Sequence, residues 1–476
     1  MKLTIAQIEN ACGGRLVLQG DKADKEQNVS SVVLDSRQVT ENGVFVATVG
    51  ERVDGHRFIP DVFAKGAALV ITEKLPEQVE AEHGVFAKEW GNYILVEDSF
   101  QALKCIAEFY RSMLNIPIVG ITGSVGKTST KEFIAGVLSE KYNVLKTEGN
   151  FNNEVGVPLT LLRIREEHEA AVVEMGISDF GEMHRLSKMV RPNVCVITNI
   201  GQCHLENLKT RDGILKAKSE IFDFMADDGI VCLNGEDDKL CTVTEVRGRR
   251  PHFFGLGGNQ SEEVWAKDIV SRGLWGSEAV LHFAPQELTV KIQVPLPGRH
   301  MVMNAAAAAC VGSLLGLTVQ QIADGMGKVA AIGGRNNLIR LPDYTLIDDC
   351  YNANPVSMKA AVDLLSMADT EKIAILGDMF ELGENSDNMH AEVGAYAVRA
   401  GVDRIYCVGE HSRHMYEAAK KEASDNQRLQ YFPDRKRLLE ALNLDRKALL
   451  PSGTTILIKA SHGMQFTDIV RILSCS

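Results

Sequence analysis

Ile118-Val-Gly120-Ile-Thr-Gly123-Ser-Val-Gly126-Lys127-Thr128-Ser129 sets a short, continuously apolar run against a glycine-rich turn. The following segment, Lys131-Glu-Phe-Ile-Ala-Gly-Val-Leu-Ser-Glu-Lys-Tyr142, has apolar residues at helical spacing. A buried strand therefore runs through glycines into a helix. Glycines let backbone N–H groups curl around phosphate oxygens, and the helix N-terminus adds its positive dipole. Lys127 is placed to neutralise β- and γ-phosphates, and the Thr128 hydroxyl to sit on Mg²⁺. The glycines fall at intervals of three, and Ile121 stands where the commoner form of the motif has its first glycine. Read alone they fit a tight turn; Gly-Lys-Thr opening a helix favours a nucleotide phosphate site formed by Gly123, Ser124, Val125, Gly126, Lys127, Thr128 and Ser129.

Working outward, further buried strands are expected in AAVVEMG (170–176), NVCVITNIG (193–201) and GIVCLNG (229–235), with helical segments between them. Strand and helix in alternation imply a parallel sheet covered on both faces. Upstream, FQALKCIAEFYRSML (100–114) reads as a helix, and residues 1–97 as short strands and helices with frequent turns. Downstream, residues 253–299 break the rhythm and read as a small antiparallel insert. NAAAAACVGSLLGL (304–317) then forms a close-packed helix, since alanine costs least to order there. A third αβ series follows in YTLIDDC, KIAILGD, RIYCVG and TTILIKAS, each a buried run with a polar or glycine-rich tip. Ligands in such sheets bind at the carboxyl ends of strands. The fold expected is α/β in three domains, 1–97, 98–332 and 333–476. The central one is a parallel-sheet P-loop ATPase domain and the last a Rossmann-like α/β domain.

The whole chain supports this division. Its 476 residues exceed one ordinary domain, and 45% apolar with 24% charged residues is usual for a soluble globular protein. No run of about 18 apolar residues is present, so no membrane span is expected. The amino-terminal stretch meets Glu9 too early for a secretory signal, and the ten cysteines show no CxxC pair. Both features suit a reducing, cytoplasmic setting. A formal charge of −12 speaks against broad nucleic-acid binding, so positive charge that meets a phosphate must be local.

The three-spaced glycine loop resembles that of the Mur ligases and the folylpolyglutamate synthetases. LDSRQVTENGVFVATVGERVDGHRFI (34–59) resembles the UDP-binding domain of the UDP-muramoyl peptide ligases. GNFNNEVGVPLTLL, EMGISDFGEM, TNIGQCHLENL and KAKSEIF resemble the Mur central domain. DDCYNANPVSM and LGDMFELGENS resemble the C-terminal domain of the member that adds D-alanyl-D-alanine. The resemblance implies that ATP phosphorylates the carboxylate of a UDP-N-acetylmuramoyl-tripeptide. The amine of D-alanyl-D-alanine then displaces phosphate, and a monomer is expected.

By the same resemblance Lys127, Glu174, His204 and Lys218 carry the chemistry, and Thr128, Glu174, His204 and Lys218 hold Mg²⁺. The lysine at the position of Lys218 is carbamylated in relatives, which turns a cation into an oxygen-bearing ligand suited to Mg²⁺. Taken without the family, Glu174 reads as a solvated strand end and His204 as a loop histidine. Lys218 reads as a surface lysine paired with Glu220 or Asp223, and Lys216 competes for its role. Asn304 resembles the adenine contact, Arg335 a γ-phosphate contact, and Asp349 a ribose or nucleotide contact for which Asp348 competes. Ser36 and Arg37 are the candidates for the UDP-sugar. Asn150, Asn152 and Asn153 would offer amide donors to pyrophosphate and peptide, unless they form only an asparagine-rich turn. The amine substrate is expected near Asn352, Asn354 and Asp378.

Three rival readings compete with this one. The ligase that adds the third amino acid would, when it uses diaminopimelate, carry an Asp-Asn-Pro-Arg segment that this chain lacks. A folylpolyglutamate synthetase leaves residues 1–97 without a purpose. A phosphate-loop NTPase acting as a binding switch leaves Glu174, His204 and Lys218 unexplained.

Overall fold

The computed structural model describes residues 1–19, 24–50, 53–84, 89–258, 261–330 and 337–474. Three sheets divide them. The first holds β1 (Arg15–Val17), β2 (Val32–Val33), β3 (Val44–Val46), β4 (Leu69–Thr72) and β5 (Tyr93–Leu95), in the order β1-β5-β4-β3-β2. Its strands are parallel except β1, which runs antiparallel to β5. The helix Ser99–Ser112, capped by the Asp98 side chain, leads from this sheet to the next. Near its end the buried Arg111 donates to the carbonyls of Leu114, Val190 and Arg191, so the connecting helix is tied to the central domain by a desolvated guanidinium.

The second sheet carries the phosphate loop. Its strands are β6 (Ile118–Thr122), β7 (Val144–Lys146), β8 (Ala170–Glu174), β9 (Val194–Ile197), β10 (Ile230–Asn234), β11 (His252–Gly255), β12 (Glu262–Ser271), β13 (Ser277–Phe283) and β14 (Leu288–Val294). The order is β14-β13-β12-β11-β10-β9-β6-β8-β7. Strands β6 and β8 to β10, expected as continuous apolar runs, are almost wholly buried because helices cover both faces.

Residues 253–299 are not a separate insert. β11 lies parallel to β10 and β12 parallel to β11, and antiparallel β13 and β14 continue the same sheet. The central sheet is therefore mixed rather than purely parallel. The alternating burial of β13 reflects one face packed in the core shared with the alanine-rich helix Arg299–Leu314 and one left open.

The third sheet holds β15 (Asn337–Arg340), β16 (Tyr344–Asp348), β17 (Lys372–Gly377), β18 (Arg404–Val408), β19 (Arg428–Phe432) and β20 (Thr454–Lys459). Its order is β15-β16-β20-β17-β18-β19, parallel except for β15. The β12–β13 turn hooks the central domain to this one. Leu274 at its tip belongs to the hydrophobic core of the third domain, and Arg340 of β15 stacks 3.6 Å from the centroid of the Trp275 ring. The hook packs the edge of the central sheet against the third domain. Among the described residues no helix is long and apolar enough to cross a membrane.

Candidate active site

The phosphate loop is shaped by its neighbour strand. Gly123 follows β6 with φ +145°, and a Cβ there would lie 1.9 Å from the Thr198 hydroxyl oxygen. No larger residue fits this approach. Gly126 turns the chain at φ +84° into the helix Lys127–Leu138. Segment 198–201, just past β9, then grips the loop. Ser124 N–H donates to the Asn199 carbonyl at 3.0 Å and Val125 N–H to Asn199 Oδ1 at 2.9 Å. Thr198 Oγ1 and Asn199 Nδ2 both donate to the Val125 carbonyl, at 2.7 and 2.9 Å. Lys127 Nζ folds back on the Gly123 carbonyl at 2.8 Å. Ser129 lies in the first turn of the helix and lines the same cavity.

The groups expected at a metal gather beside this loop. Glu174 ends β8 and is 1% exposed; one carboxylate oxygen accepts Thr128 Oγ1 and the other Asn152 Nδ2, each at 2.8 Å. It is not a solvated strand end. His204 has left-handed backbone, φ +49°, and its imidazole is lowered to about 4 by burial and by the Lys218 and Lys127 ammonium groups. It is therefore neutral and able to act as a lone-pair donor. Lys218, in the last turn of the helix Arg211–Ser219, is 1% exposed and lowered to about 7 by burial, with a further push from Lys127. The helix does not continue to Phe222; a 3₁₀ turn spans Glu220–Phe222. Neither surface partner suggested by the sequence reaches Lys218. Glu220 accepts from the Gly181 and His184 amides, and Asp223 meets His184 Nδ1 at 2.6 Å. Lys216 is exposed.

A cavity of about 1110 Å³ separates this wall from the third domain. Asn150, Asn152, Asn153, Asn304, Asp349, Asn352 and Asn354 all line it, with Lys127, Glu174 and His204. Asn304 is buried and accepts Thr130 Oγ1 at 3.1 Å. Asn354 also caps the helix Pro355–Ser366 by accepting the Ser357 amide, and Asn153 accepts the Gly156 amide, each at 2.9 Å. Asp349 forms an ion pair with Lys459 at 2.6 Å, and Lys459 Nζ also donates to the Asn352 carbonyl at 2.9 Å. Asp348 points elsewhere and accepts the Cys350 thiol.

Other expected residues stand apart from the cavity. The Asp378 carboxylate is buried and accepts both the amide and the hydroxyl of Ser412, at 2.7 and 2.6 Å. Ser36 and Arg37 sit in the first domain, where exposed Arg37 pairs with Asp35 at 2.6 Å and the Ser36 carbonyl accepts Lys65 Nζ. Arg335 lies outside the described residues. Sequence reading overlooked Asn199, Tyr351, Glu381 and Lys459, all on the cavity wall. Lys459 and Glu381 do lie at strand tips of the third sheet, where ligands were expected, and that was their one signal.

The chain belongs to the Mur ligase family. It matches the Mur ligase middle domain over residues 121–312, the Mur ligase glutamate ligase domain over 334–462 and the Mur ligase family catalytic domain over 28–111. A curated relative, the UDP-N-acetylmuramoyl-tripeptide–D-alanyl-D-alanine ligase of Bacillus subtilis, is 34% identical across 99% of this chain and 98% of its own length. A crystal structure of MurF from Acinetobacter baumannii superposes with a TM-score of 0.85 at 31% identity, covering 100% of this chain and 99% of that one. MurF ligase from Thermotoga maritima, solved in complex with ADP, gives 0.75 at 29% identity, covering 93% and 97%.

The tight fit at Gly123 yields a first test. Gly123→Ala should weaken ADP binding at least about 10-fold, or about 1.4 kcal/mol, and lower the unfolding free energy by about 1–3 kcal/mol through overpacking. Calorimetric titration and urea melts measure both, and wild-type ADP affinity would contradict the loop geometry.

Proposed function

We propose that this chain is an ATP-dependent amide ligase that joins D-alanyl-D-alanine to a UDP-N-acetylmuramoyl-tripeptide through an acyl phosphate, in peptidoglycan precursor synthesis. The observation that carries this reading is the two-walled cavity. One wall presents the phosphate loop with Lys127 and Glu174, the other the Asp349–Lys459 pair and the asparagines of the third domain. Full-length similarity to relatives bearing that name selects the substrates. The reading places the chain in the cytoplasm as a monomer, each chain carrying one such cavity.

A carboxylate is a poor electrophile with a poor leaving group, so the reaction needs activation. The tripeptide carboxylate oxygen attacks the γ-phosphorus, the bond to the β-bridging oxygen breaks, and ADP leaves. The ammonium of the second substrate first gives a proton to water; the freed amine nitrogen then attacks the carbonyl carbon, the carbon–oxygen bond to phosphate breaks, and the nitrogen gives a second proton to water. The protein aligns two anions and screens their repulsion. Lys127 neutralises the terminal phosphates, Asn304 orients the adenine beside Phe254 and Leu256, and Arg335 and Asp349 complete the nucleotide contacts. Asn150, Asn152 and Asn153 hold the pyrophosphate and peptide, while Ser36 and Arg37 take the UDP-sugar. Asn352 and Asn354 receive the amine, and Asp378 supports their wall.

Thr128, Glu174, His204 and Lys218 fit Mg²⁺. Thr128 and Glu174 supply hard oxygens 2.8 Å apart, and the neutral His204 imidazole lines the same cavity as Glu174. Bound there, Mg²⁺ would supply charge screening for the phosphates. Lys218 joins the set only as its carbamate, formed as amine plus CO₂ giving carbamate anion plus a proton. Its burial, its lack of an ion pair among the described residues and its lowered pKa keep free amine available for that addition.

Phosphate release measured with every combination of ATP, UDP-tripeptide and D-alanyl-D-alanine tests the reaction. Release should require all three, and Lys127→Ala should reduce it by about 10²–10³ without changing the circular dichroism. Hydrolysis indifferent to UDP-tripeptide and amine would favour the switch reading instead.

Carbamylation has its own readout. A carbonyl resonance should appear on labelling with ¹³CO₂ and be absent in Lys218→Ala. That variant should be nearly inactive and partly rescued by acetate. Because Lys218 titrates at about 7, protonation removes the reactive amine as pH falls through that value, so the signal and the activity should fall together and return on raising pH with CO₂. An unlabelled, active wild type would refute it.

A further inference from the structure

Among the described residues five carboxylates line the cavity: Glu154, Glu174, Glu182, Asp349 and Glu381. Four have their charge engaged by strong donors. Glu154 pairs with Arg185 and Lys104, and Glu174 accepts Thr128 and Asn152. Glu182 accepts the Ser178 and Asp179 amides, and Asp349 pairs with Lys459. Glu381 differs. Its side chain is 73% exposed into the cleft, and its one partner among the described residues is the His204 imidazole, 3.5 Å away on the opposite wall.

Glu381 is also held at a conformational cost. Its φ is +61°, in the left-handed region that a residue with a Cβ seldom adopts, and His204 facing it has φ +49°. Such backbone persists where the surroundings over-determine it, and these outliers cluster at functional sites. The anchors are visible. Met379 N–H donates to His390 Nε2 and Phe380 N–H to Ser461 Oγ, both at 2.9 Å, while Asp378 is fixed by Ser412. Three consecutive residues are thereby pinned so that the fourth projects a carboxylate across the gap.

We infer that Glu381 binds the ammonium group of the incoming amine, placing its nitrogen between the walls and selecting for a free amino terminus. An α-amino group has a pKa of roughly 8 and arrives largely protonated at neutral pH. Among the described residues Glu381 is the one of the five whose oxygens accept no amide, hydroxyl or ammonium donor, so its lone pairs are open to recognise it. Asp378, His390, Ser412 and Ser461 act through Glu381 as positioning residues. This rests on the ligase reading above and adds which residue recognises the second substrate.

Steady-state KM values for all three substrates in wild type, Glu381→Gln and Glu381→Asp test it, with N-acetyl-D-alanyl-D-alanine as an inhibitor lacking the ammonium. Glu381 is exposed, so both variants should fold. Glu381→Gln should raise the KM for D-alanyl-D-alanine by about 10-fold or more and leave those for ATP and UDP-tripeptide unchanged. Glu381→Asp, which keeps the charge, should recover part of the loss. The acetylated dipeptide should bind wild type far more weakly than the free one, and that gap should close in Glu381→Gln. An unchanged amine KM in Glu381→Gln, or an equal rise for all three substrates, would overturn the inference. Wild type that shows no amine-dependent phosphate release would instead overturn the ligase reading.

Discussion

The phosphate loop has a usable shape only because the end of strand β9 grips it. Thr198 and Asn199 bind the Val125 carbonyl, Asn199 also takes the Ser124 and Val125 amides, and Gly123 passes too close to the Thr198 side chain for any Cβ to fit. A loop fixed before nucleotide arrives spends no binding energy on ordering itself, which is the condition for electrostatic stabilisation to act on the transition state. β8, on the other side of β6, contributes Glu174, and the segment after β9 contributes His204. The parallel arrangement of β8, β6 and β9 thus brings three distant stretches of chain to one edge.

Charge is distributed just as unevenly. The molecule is acidic overall, yet Lys127 and Lys459 line the cleft and Lys218 lies buried behind His204 and Lys127. Their fates differ. Lys459 is neutralised by Asp349, whereas Lys218 has no ion pair among the described residues, and burial, helped by Lys127, pushes it toward the neutral amine. A buried lysine left without a counter-ion is costly as a cation. On the proposed reading, a carbamate would reverse the sign of the group, and a bound cation would offset the burial cost of that anion.

Much of this was legible in the sequence, for physical reasons. Buried parallel strands are continuous apolar runs, so AAVVE, VCVI and IVCLN declared themselves, and Gly-Lys-Thr marked the turn from β6 into a helix. The break in rhythm over 253–299 signalled antiparallel strands but not their sheet, because pairing partners are set by tertiary packing rather than local pattern. Side-chain direction was equally hidden. Asp378 at the tip of β17 looked like a ligand contact, whereas its carboxylate is consumed by Ser412 and the acid of that loop that lines the cleft is Glu381, three residues on. Lys459 was lost among ordinary strand-end lysines because its partner, Asp349, is 110 positions away.

Activation of the carboxylate must come before amide formation, and an oxygen label follows that step directly. UDP-tripeptide carrying ¹⁸O in its terminal carboxylate, turned over with ATP and D-alanyl-D-alanine, should release phosphate containing one labelled oxygen for each labelled carboxylate oxygen lost, as measured by mass spectrometry. Phosphate free of label alongside normal amide product would contradict an acyl phosphate, and with it the chemical roles of the two walls of the cleft.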